Sequence, residues 1–162
     1  MTRTTTELPF NTAVDKALAR TAAEFNKYEH AIVWAALGHG ARDAMAKAVH
    51  DSGEQDWLIV TKKEMWPLWR ELLLPCNLRL LHFTNEESVR KHGVTATPTF
   101  MGMLHPPRNV IIEFPSNGAK THCALRLLAG KSKRVWVRIR QPSDLDMWAS
   151  TGYHAFNHYL EM

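Results

Sequence analysis

Short apolar runs alternate with helical patterns along most of the chain. Five runs have the length and composition of β-strands, and each is followed by a turn signal and then by residues at helical spacing. These runs cover residues 31–37, 57–60, 78–83, 110–114 and 135–140. Near-continuous apolar strands that alternate with helices are typical of βαβ units in a buried, mainly parallel sheet. The pattern therefore predicts a three-layer α/β/α domain with a sheet of about five strands.

The remaining segments complete a single domain over residues 1–162. Residues 1–9 are polar and rich in threonine, which predicts a loose N-terminus. Residues 10–28 have apolar positions at helical spacing and predict a helix that precedes the first strand. Residues 93–109 form a long, proline-containing connection, and a connection of this length is typical of a lid, a binding loop or an extra hairpin.

Two turns directly after apolar runs match the capping box, in which a Thr and a Glu three residues later satisfy amides at a helix start. They are Thr61-x-x-Glu64 and Thr84-x-x-Glu87. Pro67 conflicts with a helix that starts at Lys62, because proline lacks the amide that bonds to the preceding turn. The helix after the second strand is therefore expected to begin near Trp66 or to be kinked there.

Positive charge is concentrated late in the chain. Residues 88–143 contain ten basic residues and one acidic residue, Glu113, whereas residues 1–87 and 144–162 each carry an acidic excess. A one-sided positive field attracts polyanions and accelerates encounter with them. The distribution predicts a phosphate-rich or acidic partner, and the alternative is a solvated face that keeps the protein soluble.

The stretch Arg134–Arg140 carries this charge in an ordered pattern. At strand period, Arg134, Trp136, Arg138 and Arg140 point one way, and apolar residues point the other way. Guanidinium groups pair with phosphate, and indole rings stack on bases. We therefore expect this strand to lie at a sheet edge or in a hairpin, where it binds nucleic acid or an acidic protein, or where its charges prevent edge-to-edge pairing. The candidate binding residues are Lys131, Lys133, Arg134, Trp136, Arg138 and Arg140.

Two turns are candidate phosphate sites at the carboxyl edge of the predicted sheet, where helix N-termini favour anions. The segment 114–121 resembles a degenerate P-loop: it has the Lys-Thr pair, but Phe114 and Ala119 replace the two glycines. The turn 38–43 has two glycines without the complete dinucleotide-binding fingerprint. The possible phosphate-binding residues are Gly38, His39, Gly40, Ser116, Asn117, Gly118, Lys120 and Thr121.

The C-terminal stretch after Asp144 is predicted to be helical. On such a helix His154, His158 and Glu161 share one face, but the His-Glu-x-x-His pattern is missing, so we predict a solvated face and no metal site. No catalytic motif in the chain is complete, and we predict no catalytic residue and no cofactor.

Composition indicates the compartment and class. Apolar content of 45% and charged content of 22% are ordinary for a folded domain. Apolar stretches are too short for a membrane span, the start lacks a signal-peptide core, and two cysteines beside apolar residues fit free thiols. We therefore expect a soluble, cytoplasmic protein.

The favoured function is a non-catalytic accessory protein that contacts nucleic acid or another acidic partner through the basic-aromatic strand. One alternative is a small nucleotide- or phosphoester-acting enzyme with the degenerate P-loop-like turn at 114–121. The other alternative is a protein-interaction or assembly module that uses exposed tryptophans, with Trp66 and Trp69 as the contact residues.

Overall fold

The sheet is the framework of the protein. The computed structural model describes residues 9–34, 40–91, 108–115, 132–139 and 153–157. The strands in these segments are β1 (His30–Trp34), β2 (Asp56–Val60), β3 (Leu80–Thr84), β4 (Asn109–Glu113), β5 (Arg134–Ile139) and β6 (His154–Asn157). They form one sheet in the order β3-β2-β4-β5-β1-β6, and every neighbouring pair is parallel. The predicted α/β class with a mainly parallel sheet is confirmed.

Helices precede and connect the strands. The α-helices are α1 (Pro9–Lys27), α2 (Ala41–Ser52) and α3 (Trp66–Leu73). Short 3₁₀ turns at Lys63–Met65 and Leu74–Cys76 flank α3, and residues 86–91 are helical after β3. Pro67 lies in the first turn of α3, where its missing amide leaves no bond unmade. The alternative that this helix begins near Trp66 is therefore confirmed.

Apolar side chains cover both faces of the sheet. On one face, α1, α2 and α3 pack against alternate strand residues, and the centroid of the Trp136 ring lies 5.0 Å from those of Phe25 and Trp57. On the other face, Val89 of the helical segment 86–91 packs in a cluster with strand residues such as Val110. Because both faces are buried, the central strands read as near-continuous apolar runs.

The expectation that the strand Arg134–Arg140 lies at an edge is wrong. β5 pairs with β4 on one side and with β1 on the other. Trp136 is fully buried and Arg138 is 3% exposed. The interior accepts the charge of Arg138 because Glu113, its direct partner in the β4 register, receives a hydrogen bond from it at 2.9 Å. The alternation identified which residues share a face, but that face packs against helices.

The edge beside β1 belongs to β6, in a region where the sequence predicted a helix. His154 and Phe156 are two residues apart; His154 contacts Glu24 of α1 and Tyr28 after it, and Phe156 contacts Phe25 of α1. The His154 ring stacks on Tyr28 at 3.8 Å, and the Phe156 ring meets Phe25 edge-on at 5.0 Å between centroids. Strand period places both rings toward α1, so the predicted histidine face of a helix is not formed here. His158 and Glu161 lie outside the described residues.

Both predicted capping boxes are wrong. The hydroxyl of Thr61 donates to Glu113 Oε1 at 2.9 Å and does not cap a helix. At the other turn Asn85, and not Thr84, is the capping residue, since its Oδ1 accepts the amide of Ser88 at 2.8 Å. Short polar side chains at a strand end have several local and long-range hydrogen-bond partners within reach, and sequence spacing does not choose among them.

Some expectations concern segments outside the described residues. These include residues 1–8 and 92–107, although Pro9 already belongs to α1 and Asn109 to β4.

Cys76 is a half-buried free thiol, and burial raises its pKa. Among the described helices, none has both the length and the apolar character that a membrane span requires.

Candidate functional site

Parallel strands bring chemically distinct side chains to the carboxyl edge of the sheet. Glu113 ends β4, Arg138 lies near the end of β5, and Thr61 directly follows β2. Arg42, from the first turn of α2, and Trp69, from α3, reach the same place. We call Arg42, Thr61, Trp69, Glu113 and Arg138 the carboxyl-edge network.

Glu113 is the centre of this network and its side chain is fully buried. Its Oε2 accepts Nε of Arg42 at 2.8 Å and Nη1 of Arg138 at 2.9 Å. Its Oε1 accepts the Thr61 hydroxyl at 2.9 Å and the Trp69 indole N–H at 3.2 Å. Burial alone would raise the pKa of Glu113, but the hydrogen bond and charge of Arg42, with the other bonds, hold that pKa below its ordinary value. Glu113 is therefore an ionised structural carboxylate with both oxygens engaged.

Arg138 is almost as buried, with 4% of its side chain exposed. Its guanidinium carbon lies 4.5 Å from the centroid of the Phe114 ring, in cation–π geometry. Phe114 adopts a left-handed backbone with φ 53°, and its amide donates to the carbonyl of Arg138 at 2.8 Å. The Nε of Arg138 is buried and has no hydrogen-bond acceptor within the described parts of the chain.

A depression lies beside this network where β2 and β4 end. It is small, about 50 Å³ in volume, and its polar lining includes Lys62, Asn85 and Glu86. The chain after β2 returns on one face of the sheet through α3, and the chain after β3 forms the helical segment 86–91 on the other face. A crevice between such connections is the common ligand position in open α/β sheets.

The opposite, amino edge of the sheet collects basic residues from separate segments. Arg79 precedes β3, Arg108 precedes β4, and Lys133 and Arg134 stand at the start of β5. The carboxylates among them are Glu54 and Asp56, which lead into β2 after the left-handed Gly53 ends α2. We call these six charged residues the amino-edge cluster: Glu54, Asp56, Arg79, Arg108, Lys133 and Arg134.

Three cations converge on one oxygen in this cluster. Oε1 of Glu54 lies 2.7 Å from Nη1 of Arg134, 3.0 Å from Nε of Arg108 and 3.7 Å from Nζ of Lys133. Arg79 binds both oxygens of Asp56 at 3.0 Å. Burial would raise the pKa of Glu54, but Arg108 and the neighbouring cations hold it below its ordinary value. Four cations thus face two carboxylates, which leaves two positive charges in excess.

The structure divides the predicted basic-aromatic face among three places. Lys133 and Arg134 join the amino-edge cluster, Trp136 lies in the core, and Arg138 belongs to the carboxyl-edge network. The prediction of one exposed face that contains both Trp136 and Arg138 is therefore wrong. Lys131 and Arg140 lie outside the described residues.

The predicted tryptophan patch is not formed as expected. Trp69 is fully buried and donates its indole N–H to Glu113. Trp66 is half-buried, and its indole N–H donates to the carbonyl of Thr61 at 3.1 Å. The spacing of both residues on α3 therefore reflects packing and anchoring of the helix.

Of the predicted phosphate-binding residues, the structure describes Gly40. It precedes α2 with φ 79°, and a Cβ at this position would lie 3.3 Å from Leu18 of α1. The left-handed backbone and the close helix together favour glycine here. The other predicted phosphate-binding residues, Gly38, His39, Ser116, Asn117, Gly118, Lys120 and Thr121, lie outside the described residues.

Sequence reasoning missed the members of both sites that are distant along the chain. Glu113 had a usable signal, since it is the one acidic residue in 88–143 and lies at the end of an apolar strand. Arg42 is 71 residues from Glu113, and no local pattern pairs them. Within the described segments, no group of three or more potential ligands could hold a metal ion.

No protein-family model matches the sequence, and no curated protein is significantly similar to it.

Proposed function

We propose that this chain is a non-catalytic binding protein that contacts the phosphate backbone of nucleic acid through the amino-edge cluster. The observation that supports this function is the convergence of four basic side chains on two carboxylates. The backbone at the starts of β3, β4 and β5 fixes the positions of these basic residues. Three of the four basic residues, Arg108, Lys133 and Arg134, come from residues 88–143, which carry ten basic residues and one acidic residue.

The basic groups of the cluster are accessible to a large partner. The exposed fractions of the side chains are 72% for Arg79, 54% for Arg108 and 39% for Lys133. An open depression separates Arg79 from Arg108. Nucleic-acid backbones are bound mainly by such accessible lysine and arginine groups, and the contacts carry no sequence information. Because Trp136 is buried, the proposed contact is electrostatic and does not use base stacking on that ring.

The carboxylates of the cluster tune this surface. Glu54 holds Arg108 and Arg134 in fixed positions, so that fewer rotamers are lost when phosphate oxygens arrive. Glu54 also competes with phosphate for the same donors. Weak, salt-sensitive binding that is independent of sequence is the behaviour expected of such a surface.

The test is a salt titration of binding to single-stranded and double-stranded DNA and RNA. The triple variant Arg79→Ala, Arg108→Ala, Lys133→Ala removes the three accessible cations. If each contacts one phosphate of a single strand, the slope of log affinity against log salt becomes shallower by about 2.

A matched control removes the same charge from the helical side. Lys16→Ala, Lys27→Ala, Lys47→Ala acts on α1 and α2 and is expected to leave the slope nearly unchanged. If the two triple variants lose affinity for nucleic acid equally, the attraction comes from net charge alone and not from the amino-edge cluster. If the wild-type protein does not bind nucleic acid at low salt but does bind an acidic protein, the partner is an acidic protein and not nucleic acid.

A further inference from the structure

The carboxyl-edge network holds an excess of buried positive charge. We propose that it receives the phosphate group of a small ligand, of the pyrophosphate or nucleotide class, directly on Arg42 and without a metal ion. This site lies at the opposite edge of the sheet from the amino-edge cluster, so it stands or falls independently of nucleic-acid binding.

The charges of the network do not cancel. Arg42 and Arg138 both bind one oxygen of Glu113, so two guanidinium groups share a single carboxylate. Asp43 adds a negative charge nearby, but it is exposed and solvated. An uncompensated buried charge is costly in a low-dielectric interior. An anion at this position would remove the imbalance.

Arg42 is the member of the network that a ligand can reach. Its side chain is 20% exposed, against 4% for Arg138 and none for Glu113. Its Nε is committed to Glu113, its guanidinium carbon lies 5.9 Å from the centroid of the Trp69 ring, and its Nη2 contacts Met65 Sδ at 3.6 Å. A thioether is a weak acceptor, whereas two phosphate oxygens match the guanidinium fork. Phosphate therefore improves the bonding of Arg42 without breaking its bond to Glu113.

Two further features favour an anion here. The N-cap of the 12-residue helix α2 is Gly40, which has no side chain to cap the first-turn amides beside Arg42. Independently, Nε of Arg138 is buried without a described acceptor. A second uncompensated donor in the same network indicates that its bonding capacity exceeds what Glu113 alone supplies.

The bonding of Glu113 explains why the proposed site needs no metal ion. Phosphate sites that use Mg²⁺ in P-loop proteins hold it with a strand-end carboxylate and a hydroxyl. Here Arg42 and Arg138 occupy one carboxylate oxygen, and Thr61 and Trp69 occupy the other. The guanidinium of Arg42 takes the place of the cation and offsets part of the phosphate charge.

The experiment is titration calorimetry of the full chain with pyrophosphate and with ADP, first in EDTA and then with Mg²⁺. We expect both ligands to bind in EDTA, with no gain from Mg²⁺. Arg42→Ala is expected to weaken binding at least about tenfold, because a charge-assisted pair is lost. Lys47→Ala, an exposed cation on the same helix, is expected to bind within about twofold of wild type.

Two further variants keep the test decisive. Arg42→Lys retains the charge beside Glu113 but loses the fork, so it is expected to fold and still to bind more weakly than wild type. The triple variant Arg79→Ala, Arg108→Ala, Lys133→Ala is expected to bind pyrophosphate normally. Any of three results overturns the proposal: no binding by wild type, a requirement for Mg²⁺, or loss in the triple variant with Arg42→Lys unaffected.

Discussion

Glu113→Gln is the substitution that tests the buried charge network most directly. Glutamine keeps the shape of the side chain and one acceptor oxygen but removes the negative charge. Arg138, with 4% of its side chain exposed, then has no described counter-ion within bonding distance. Each oxygen of Glu113 accepts two hydrogen bonds, so the amide N–H₂ of the glutamine faces two donors whichever oxygen it replaces. The substitution therefore leaves a buried cation unpaired and places donors against donors.

The expected loss can be estimated from this geometry. Removal of one partner of a buried ion pair costs about 3–5 kcal/mol, because the remaining charge stays desolvated. This is a large part of the roughly 5–15 kcal/mol by which a domain is stable. For a urea m-value of roughly 2 kcal/mol/M, the unfolding midpoint falls by about 2 M. Urea denaturation followed by circular dichroism and tryptophan fluorescence measures this shift.

A matched surface variant and a double variant serve as controls. Glu71→Gln removes the same charge from an exposed position on α3 and is expected to change the free energy of unfolding by less than about 0.5 kcal/mol. Glu113→Gln combined with Arg138→Met removes both charges and is expected to recover part of the loss. The reasoning is refuted if Glu113→Gln costs no more than Glu71→Gln.

The pH dependence provides a second readout of the same carboxylate. The pKa of Glu113 in the folded protein lies below the ordinary value of 4.5. The unfolded chain therefore binds the proton more readily, and ionised Glu113 stabilises the fold above about pH 4.5. This contribution is lost as the pH falls through the folded pKa. The stability gap between wild type and Glu113→Gln is expected to narrow at acid pH, and a constant gap from neutral to strongly acid pH would contradict the assignment.

The remaining predictions concern the core and the amino edge. Trp136→Ala is expected to cost about 3–5 kcal/mol of unfolding free energy, because its ring packs between those of Phe25 and Trp57. A loss below about 1 kcal/mol in urea denaturation would mean that β5 is not central. Glu54→Gln is expected to strengthen binding to single-stranded DNA, because Arg108 and Arg134 lose a competing carboxylate. If fluorescence anisotropy shows weaker binding instead, Glu54 acts mainly by positioning Arg108 and Arg134 and not by competing with phosphate for them.

Most strands could be predicted from the sequence alone. The apolar runs at 57–60 and 110–114 differ from β2 and β4 by one residue at the ends, because a strand buried on both faces has an unmistakable composition. The strand β6 was missed. It has four residues, HAFN, too few to show a strand period, and its parallel pairing with β1 is what makes it a strand.

The candidate sites were harder to predict than the strands. The charge-rich segment 88–143 contains Arg108, Lys133 and Arg134, which all contact Glu54 in the structure. The sequence did not indicate that Glu54 would join them from 80 residues away. Partners at such distances are chosen by sheet order and register, which no local pattern encodes.

The sequence by itself determined the class of the fold, the faces of β5 and the excess of positive charge, because strand period and composition are local properties. Only the tertiary structure decided whether the basic face of β5 meets solvent or core. It placed β5 between β4 and β1, with Arg138 opposite Glu113 in the register. A buried arginine is stable where a carboxylate, itself held by fixed donors, neutralises it, and that arrangement exists only when distant segments meet.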